Sequence, residues 1–162
     1  MNKLAIIVAV AFGICLFGVS QAQAAATDTL AITVTLQSLS VSITAGTEPW
    51  AIGSVVAESA TESGTYTVTN DGNIIEDIAI VCGNSADWTV GAAAGVDVFK
   101  MEAKGGEKVS YTSIAASETI KSSLAVSGTV EDLQLQFTAP SVGSVITEQS
   151  ITVTLTVTAS AS

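Results

Sequence analysis

From Thr29 to Thr44 the chain reads TLAITVTLQSLSVSIT, a long alternation of apolar and mostly hydroxyl side chains. Leu30, Ile32, Val34 and Leu36 share one phase, and after Gln37 and Ser38 the apolar set becomes Leu39, Val41 and Ile43. Successive side chains of a strand point to opposite faces, so period two predicts a strand with one buried face and not a helix. The phase change turns the apolar face over at Gln37–Ser38, as at a bulge or where a strand passes from one sheet to another. The chain closes on the same pattern, SITVTLTVTA from Ser150 to Ala159, with Ile151, Val153, Leu155 and Val157 inward.

Between these runs the same period recurs, punctuated by turn residues. Thr65 to Thr69 places Tyr66 and Val68 inward, and Asn70-Asp71-Gly72-Asn73 supplies residues that tolerate the backbone of a tight hairpin turn. Ile74 to Cys82 is the expected return strand, with Ile78, Ile80 and Cys82 on one face and Glu76 and Asp77 at a solvent-exposed or bulged start. Further strands are expected at Trp88–Val90, Val96–Ala103, Lys108–Ile114 and Val130–Thr138, with a tight turn at Gly105-Gly106. Glu58–Gly64 reads as a loop, and Ala115–Val126 as a loop or a single helical turn. Eight or nine strands without a convincing helix predict an all-β fold, an antiparallel immunoglobulin-like β-sandwich, with a jelly roll as the alternative arrangement.

The first 24 residues have the form of a Sec signal: Lys3, an apolar run from Leu4 to Val19, and Ala22-Gln23-Ala24 as the cleavage site, with cleavage after Ala25 or Ala26 as the nearby alternatives. Residues 25–162 are then a single domain, with 29–43 as a donor strand or a sheet-switching strand. The expected location is extracellular or at the cell surface, with the periplasm as the other exported compartment, and no stable membrane span remains after processing. Only Cys82 survives cleavage, so the mature chain has no internal disulfide; its place at the end of an apolar run reads as a buried thiol, an intermolecular disulfide being the alternative. Fifteen acidic residues face four lysines once Lys3 is gone, and there is no arginine. Such a chain lacks the cationic footprint that nucleic acids and anionic lipid surfaces require.

Catalysis finds little support. Histidine is absent, which removes His-based triads, Cys–His pairs and His-ligated metals. Glu76-Asp77 and Glu131-Asp132 are adjacent on strands and point to opposite faces, so neither pair is set across a substrate. The chain is not expected to be an enzyme. Calcium is the one cofactor considered, with Asp71, Asn73, Glu76 and Asp77 as candidate ligands around one turn; a solvated hairpin uses the same residue types. A glycan is the one small ligand considered, through Trp50 or Trp88, with Tyr66 and Tyr111 the other large aromatics. All four also fit core packing. Lys100, Lys104, Lys108 and Lys121 include the candidates for a Lys–Asn isopeptide bond, although solvated lysines near strand ends explain them as well.

The run TYTVTNDGNIIEDIAI resembles the central hairpin of bacterial and archaeal immunoglobulin-like extracellular domains. A Sec signal, an alternating strand directly after it and one Thr-rich sandwich are together similar to camelysin/TasA-type biofilm-matrix fibre subunits and to archaeal bundling pilins. That resemblance implies a structural subunit of a filament, pilus, matrix or surface layer. It further implies self-association by strand donation, with Leu30, Ile32, Val34 and Leu36 as the assembly strand. Asp87-Trp88-Thr89-Val90 resembles the Trp-x-Leu motif of wall-binding domains, with Val in place of Leu, and implies the alternative of a carbohydrate- or cell-wall-binding module. Export of the full chain should yield a mature protein beginning at Ala25, checked by intact-mass spectrometry; a mass retaining residues 1–24 would refute the cleavage.

Overall fold

A computed structural model of the chain describes Ala31, residues 33–45 and residues 50–161. It divides into two units, Met1–Thr35 and Leu36–Ser162. In the first, Ala31 and Thr33 to Thr35 are exposed and lie in no helix or strand. Leu30 and Ile32 of the expected assembly strand lie outside the described residues.

The second unit is built of β1 (Val41–Ala45), β2 (Ala60–Glu62), β3 (Tyr66–Asn70), β4 (Glu76–Cys82) and β5 (Thr89–Gly91), then β6 (Val98–Gly105), β7 (Lys108–Ser113), β8 (Glu118–Leu124), β9 (Thr129–Thr138) and β10 (Val153–Ala159). The described residues contain no helix. The larger sheet runs β1-β3-β9-β6-β5, with β2 also on β9 and β7 also on β6; the smaller runs β10-β4-β8. The core lies between their inner faces, the arrangement of a β-sandwich. All pairs are antiparallel except β5 with β6, so the larger sheet is mixed and not purely antiparallel as expected. The short connection that allows this turns tightly, with Gly95 N–H donating to Val98 O at 2.9 Å and Asp97 left-handed at φ 53°.

Alternation explains the core. Along β4, Glu76, Ile78, Ile80 and Cys82 are buried while the residues between them are half-buried. Along β9, Val130, Leu133, Leu135 and Phe137 point inward, and Phe137 meets Phe99 with ring centroids 5.7 Å apart. The expected tight turn at Gly105-Gly106 has φ values of 128° and 60°, and a Cβ on Gly105 would stand 2.6 Å from Asp132 O. Only glycine takes that path without strain.

Three further expectations are corrected and one pair of alternatives is decided. The strand expected over Thr29–Thr44 is confined, among the described residues, to Val41–Ala45. The Glu58–Gly64 loop contains β2, which with β3 forms one line along β9, interrupted by a bulge. Glu62 pairs with Gln136 and Tyr66 with Leu133, so four steps on one side oppose three on the other. Ser63 bridges the break: its N–H donates to Leu135 O at 2.9 Å and its Oγ accepts from Leu135 N–H at 2.8 Å. The segment read as a loop or helical turn contains β8, whose Ile120 and Leu124 are both buried. There Ser123 adopts φ 51° and the pairing with β4 shifts, so the bulge hides a strand's period. Finally, of the solvent-exposed or bulged start expected at Glu76-Asp77, the bulged form is the one seen: the pairing with β8 shifts between Glu76 and Ile78, and Glu76 is wholly buried, in phase with Ile78 and Ile80.

Replacing a fully buried ring leaves a cavity as well as losing transfer energy. Phe99→Ala should therefore lower the urea unfolding free energy by about 3–5 kcal/mol, whereas Val109→Ala, at a position 97% exposed, should change it by less than about 0.5 kcal/mol.

Candidate functional site

The smaller sheet is narrower than the larger one, and β10 forms its edge. Among the described residues β10 pairs with β4 alone, so its other row of backbone donors and acceptors has no strand paired with it, although β1 comes close. Val153, Leu155 and Val157 alternate toward the core yet remain only half-buried. Beside this edge, between the sheets, lies a groove of about 1430 Å³. Tyr66, Leu133, Leu135, Phe137 and Met101 form its wall on the larger sheet, and Ile80, Val153 and Leu155 its wall on the smaller. Ile43 stands at the margin, while Trp50–Val55 and Gly143–Ile151 border the mouth.

Strand register locates the groove along the sandwich. One end is marked by the β3–β4 hairpin, where Asn70 pairs with Val41 and Glu76 with Ala159. The opposite end is marked by the Cys82–Val153 and Lys100–Thr138 pairs. The lining residues come from the middle and that opposite end: Phe137 and Met101 pair with each other there, as do Leu155 and Ile80.

The loops at the mouth are fastened by polar contacts. Trp88, half-buried, donates its indole N–H to Val145 O at 3.3 Å, and its ring lies about 3.6 Å from where a Cβ on Gly143 would stand. Gln149 accepts from Ser85 Oγ at 2.9 Å and from Asp87 N–H at 3.1 Å, and donates to Asp87 Oδ2 at 2.9 Å. Trp50 packs against the core from the other border. Both tryptophans proposed for a glycan thus belong to the groove's rim, with the Trp88 N–H already used inside the protein. Gln149 carried no signal in the sequence beyond being a polar residue in a loop.

The four calcium candidates take separate tasks. Asn73 Oδ1 accepts from Ser38 N–H at 2.7 Å and its Nδ2 donates to Leu36 O at 2.7 Å. Glu76 Oε1 accepts from Ser40 N–H at 2.9 Å, and its Oε2 is buried without a partner. Asp71 contributes its backbone N–H to Ser40 O at 2.9 Å. Asp77 turns the other way and accepts from Ser123 N–H at 2.7 Å. No group of three or more His, Cys, Asp or Glu able to hold a metal occurs among the described residues. Asn70, also wholly buried, ties the same turn together by donating to Ile74 O and Leu124 O and accepting from Gly72 N–H.

Val34 and Leu36, the described members of the assembly strand, are exposed at 83% and 84%. The lysines are engaged with acids or an aromatic: Lys100 with Glu102 at 2.8 Å, Lys108 with Glu118 at 2.9 Å, Lys121 with Glu107 at 3.1 Å, and Lys104 over the Tyr111 ring at 4.5 Å. None of these contacts brings an Asn to a lysine. The chain matches no protein-family model and no curated protein.

Cys82 is buried at the strand end, and burial pushes its thiol from an ordinary 9.0 up to about 11. The folded state therefore favours the neutral thiol: this contribution to stability is full below pH 9 and is lost as the pH rises through 11. At pH 8 iodoacetamide should alkylate the folded protein about a hundredfold or more slowly than the urea-unfolded chain, read by mass spectrometry. Equal rates would contradict a buried Cys82.

Proposed function

We propose that the protein is a secreted, immunoglobulin-like structural subunit of an extracellular filament, matrix or surface layer, and that it assembles with copies of itself by strand donation. The observation that carries this reading is the apolar groove beside the unpaired edge of β10. A strand laid there would take up main-chain hydrogen bonds from β10 and place alternate side chains into the groove, the physics of β-augmentation. The occupant is residues 29–36 of a second copy, whose apolar set Leu30, Ile32, Val34 and Leu36 has the required period of two. Eight residues span roughly 26 Å, close to the roughly 23 Å of a strand as long as β10. The exposure of Val34 and Leu36 supports an intermolecular use, since large apolar side chains in water gain by burial elsewhere. No catalytic step and no cofactor enter this function.

The test is the assembly state of the exported protein by light scattering and negative-stain microscopy, with and without residues 25–37. Full-length protein should form extended assemblies and the shortened one should not. Val34→Asp, which would carry a charge into an apolar groove, should cost about 3 kcal/mol at each joint and so weaken association about a hundredfold. A full-length protein that stays monomeric at high concentration, with or without calcium, would sink the proposal.

A further inference from the structure

The chain from Leu36 to Ser40 belongs to no strand, yet its backbone is held as though it did. Ser38 and Ser40 each have both N–H and C=O engaged by the β3–β4 hairpin. The acceptors for their N–H groups are side-chain oxygens, Asn73 Oδ1 and Glu76 Oε1; the donors to their carbonyls are the backbone N–H groups of Asn73, at 3.0 Å, and Asp71, at 2.9 Å. Asn73 Nδ2 extends the grip to Leu36 O. The packing is close: a Cβ on Gly72 would collide with Glu76 Oε1 and stand 2.5 Å from Ser38 O. Glu76 reaches this position at the cost of burying a carboxylate whose second oxygen has no partner.

From this geometry we infer that Asn73 and Glu76 are the positioning residues of strand donation. They clamp residues 36–40 on the hairpin end of the body, opposite the end toward which the groove extends, and so fix the root of the donor strand. The inference rests on the strand-donation reading and adds to it a set of residues that lie outside the groove and act on donation without acting on acceptance. A clamp at one end and an acceptor toward the other make the joint heterologous, and such joints repeat into an open fibre unless the rotation between copies closes a ring. Holding the root also removes conformational freedom that the strand would otherwise lose on docking, which speeds the productive encounter. Without the clamp the donor residues are unchanged in sequence, but they hang from a loose tether.

Asn73→Ala in the exported full-length protein separates the two roles, because Asn73 is at the turn and not in the groove. Three measurements are made on it and on the wild type: amide exchange at Ser38 and Ser40, binding of a fluorescent peptide of residues 27–37, and the rate of self-assembly. The clamp predicts exchange at Ser38 at least tenfold faster, peptide affinity within twofold of wild type, and assembly at least tenfold slower, with an unchanged thermal midpoint showing that the body is intact. Assembly at the wild-type rate, in a variant whose peptide binding is normal, overturns the clamp while leaving strand donation standing. A peptide that binds neither protein, with assembly indifferent to residues 25–37, overturns strand donation and the clamp with it. Glu76→Gln serves as the second variant: it keeps an oxygen for Ser40 N–H and should assemble at near the wild-type rate, and a loss equal to that of Asn73→Ala would contradict the assigned contact.

Discussion

A sheet five positions wide facing a sheet of three leaves apolar surface that the narrower partner cannot cover, and the rest of this structure follows from how that surface is managed. On the β8 side the mismatch is closed by the chain itself: Glu107 N–H reaches Ile120 O across the gap between sheets at 2.8 Å, and Cys82 N–H takes Ile114 O at 2.8 Å. On the β10 side β1 comes close to the edge, but no described strand pairs with it. The segments around Trp50 and Val145 border the opening, and the inward side chains of β10 stay half-buried. Buried apolar area stabilises a fold in rough proportion to what is removed from water, so an open groove forgoes stabilisation that another strand would supply. The smaller sheet also keeps β10 as an edge strand that pairs with β4 alone among the described residues. Natural sandwiches usually blunt such edges with charge, proline or a bulge. Along β10 the sequence VTLTVTA carries none of these.

The polar interior is concentrated at the other end. Asn70 and Glu76, both wholly buried, sit within one hairpin and bond backbone groups of three separate segments: the turn itself, the end of β8 at Leu124, and the residues before β1, with Glu76 Oε2 alone left without a partner. Buried polar groups cost free energy unless satisfied, and satisfied ones specify a unique arrangement because few alternatives would satisfy them equally. The consequence is a sandwich with a rigidly specified hairpin end and an apolar, under-filled opposite end. That asymmetry, and not any cluster of reactive groups, is what distinguishes the two ends chemically.

Much of the fold was legible because most strands have one face in the core and one in water. Alternation located β3, β4, β9 and β10, and the residues between Asn70 and Asn73 located their hairpin. The failures share a cause, which is that a bulge or a buried charge breaks the local code. Ser122 and Ser123 lengthen one side of β8, so Ile120 and Leu124 lose the appearance of a strand. Glu76 is of a residue type that ordinarily marks solvent, although its phase with Ile78, Ile80 and Cys82 pointed inward all along. The groove itself was illegible. Half-buried Leu155 and fully buried Leu133 look alike in a sequence, and the difference between them depends on how many strands each sheet contains.

The change of phase at Gln37–Ser38 falls where the chain is fastened to the hairpin. N-terminal to it, Val34 and Leu36 lie in water; C-terminal to it, Leu39 and Ile43 are still exposed, at 46% and 39%, while Val41, in the same phase as they are, packs against the core on β1. The clamp grips the backbone at Leu36, Ser38 and Ser40, directly across that change. A strand continuing in one phase would have carried the apolar face of β1 straight into Leu36 and tied both halves to the same surface. In a continuous strand the one-residue slip would send the two apolar sets to opposite faces, but residues 33–40 lie in no strand, so here Val34 and Leu36 are parted from β1 by an unpaired segment. The sequence break and the structural grip therefore fall together: the apolar set changes phase at Gln37–Ser38, and the hairpin fastens the backbone at Leu36, Ser38 and Ser40 around it.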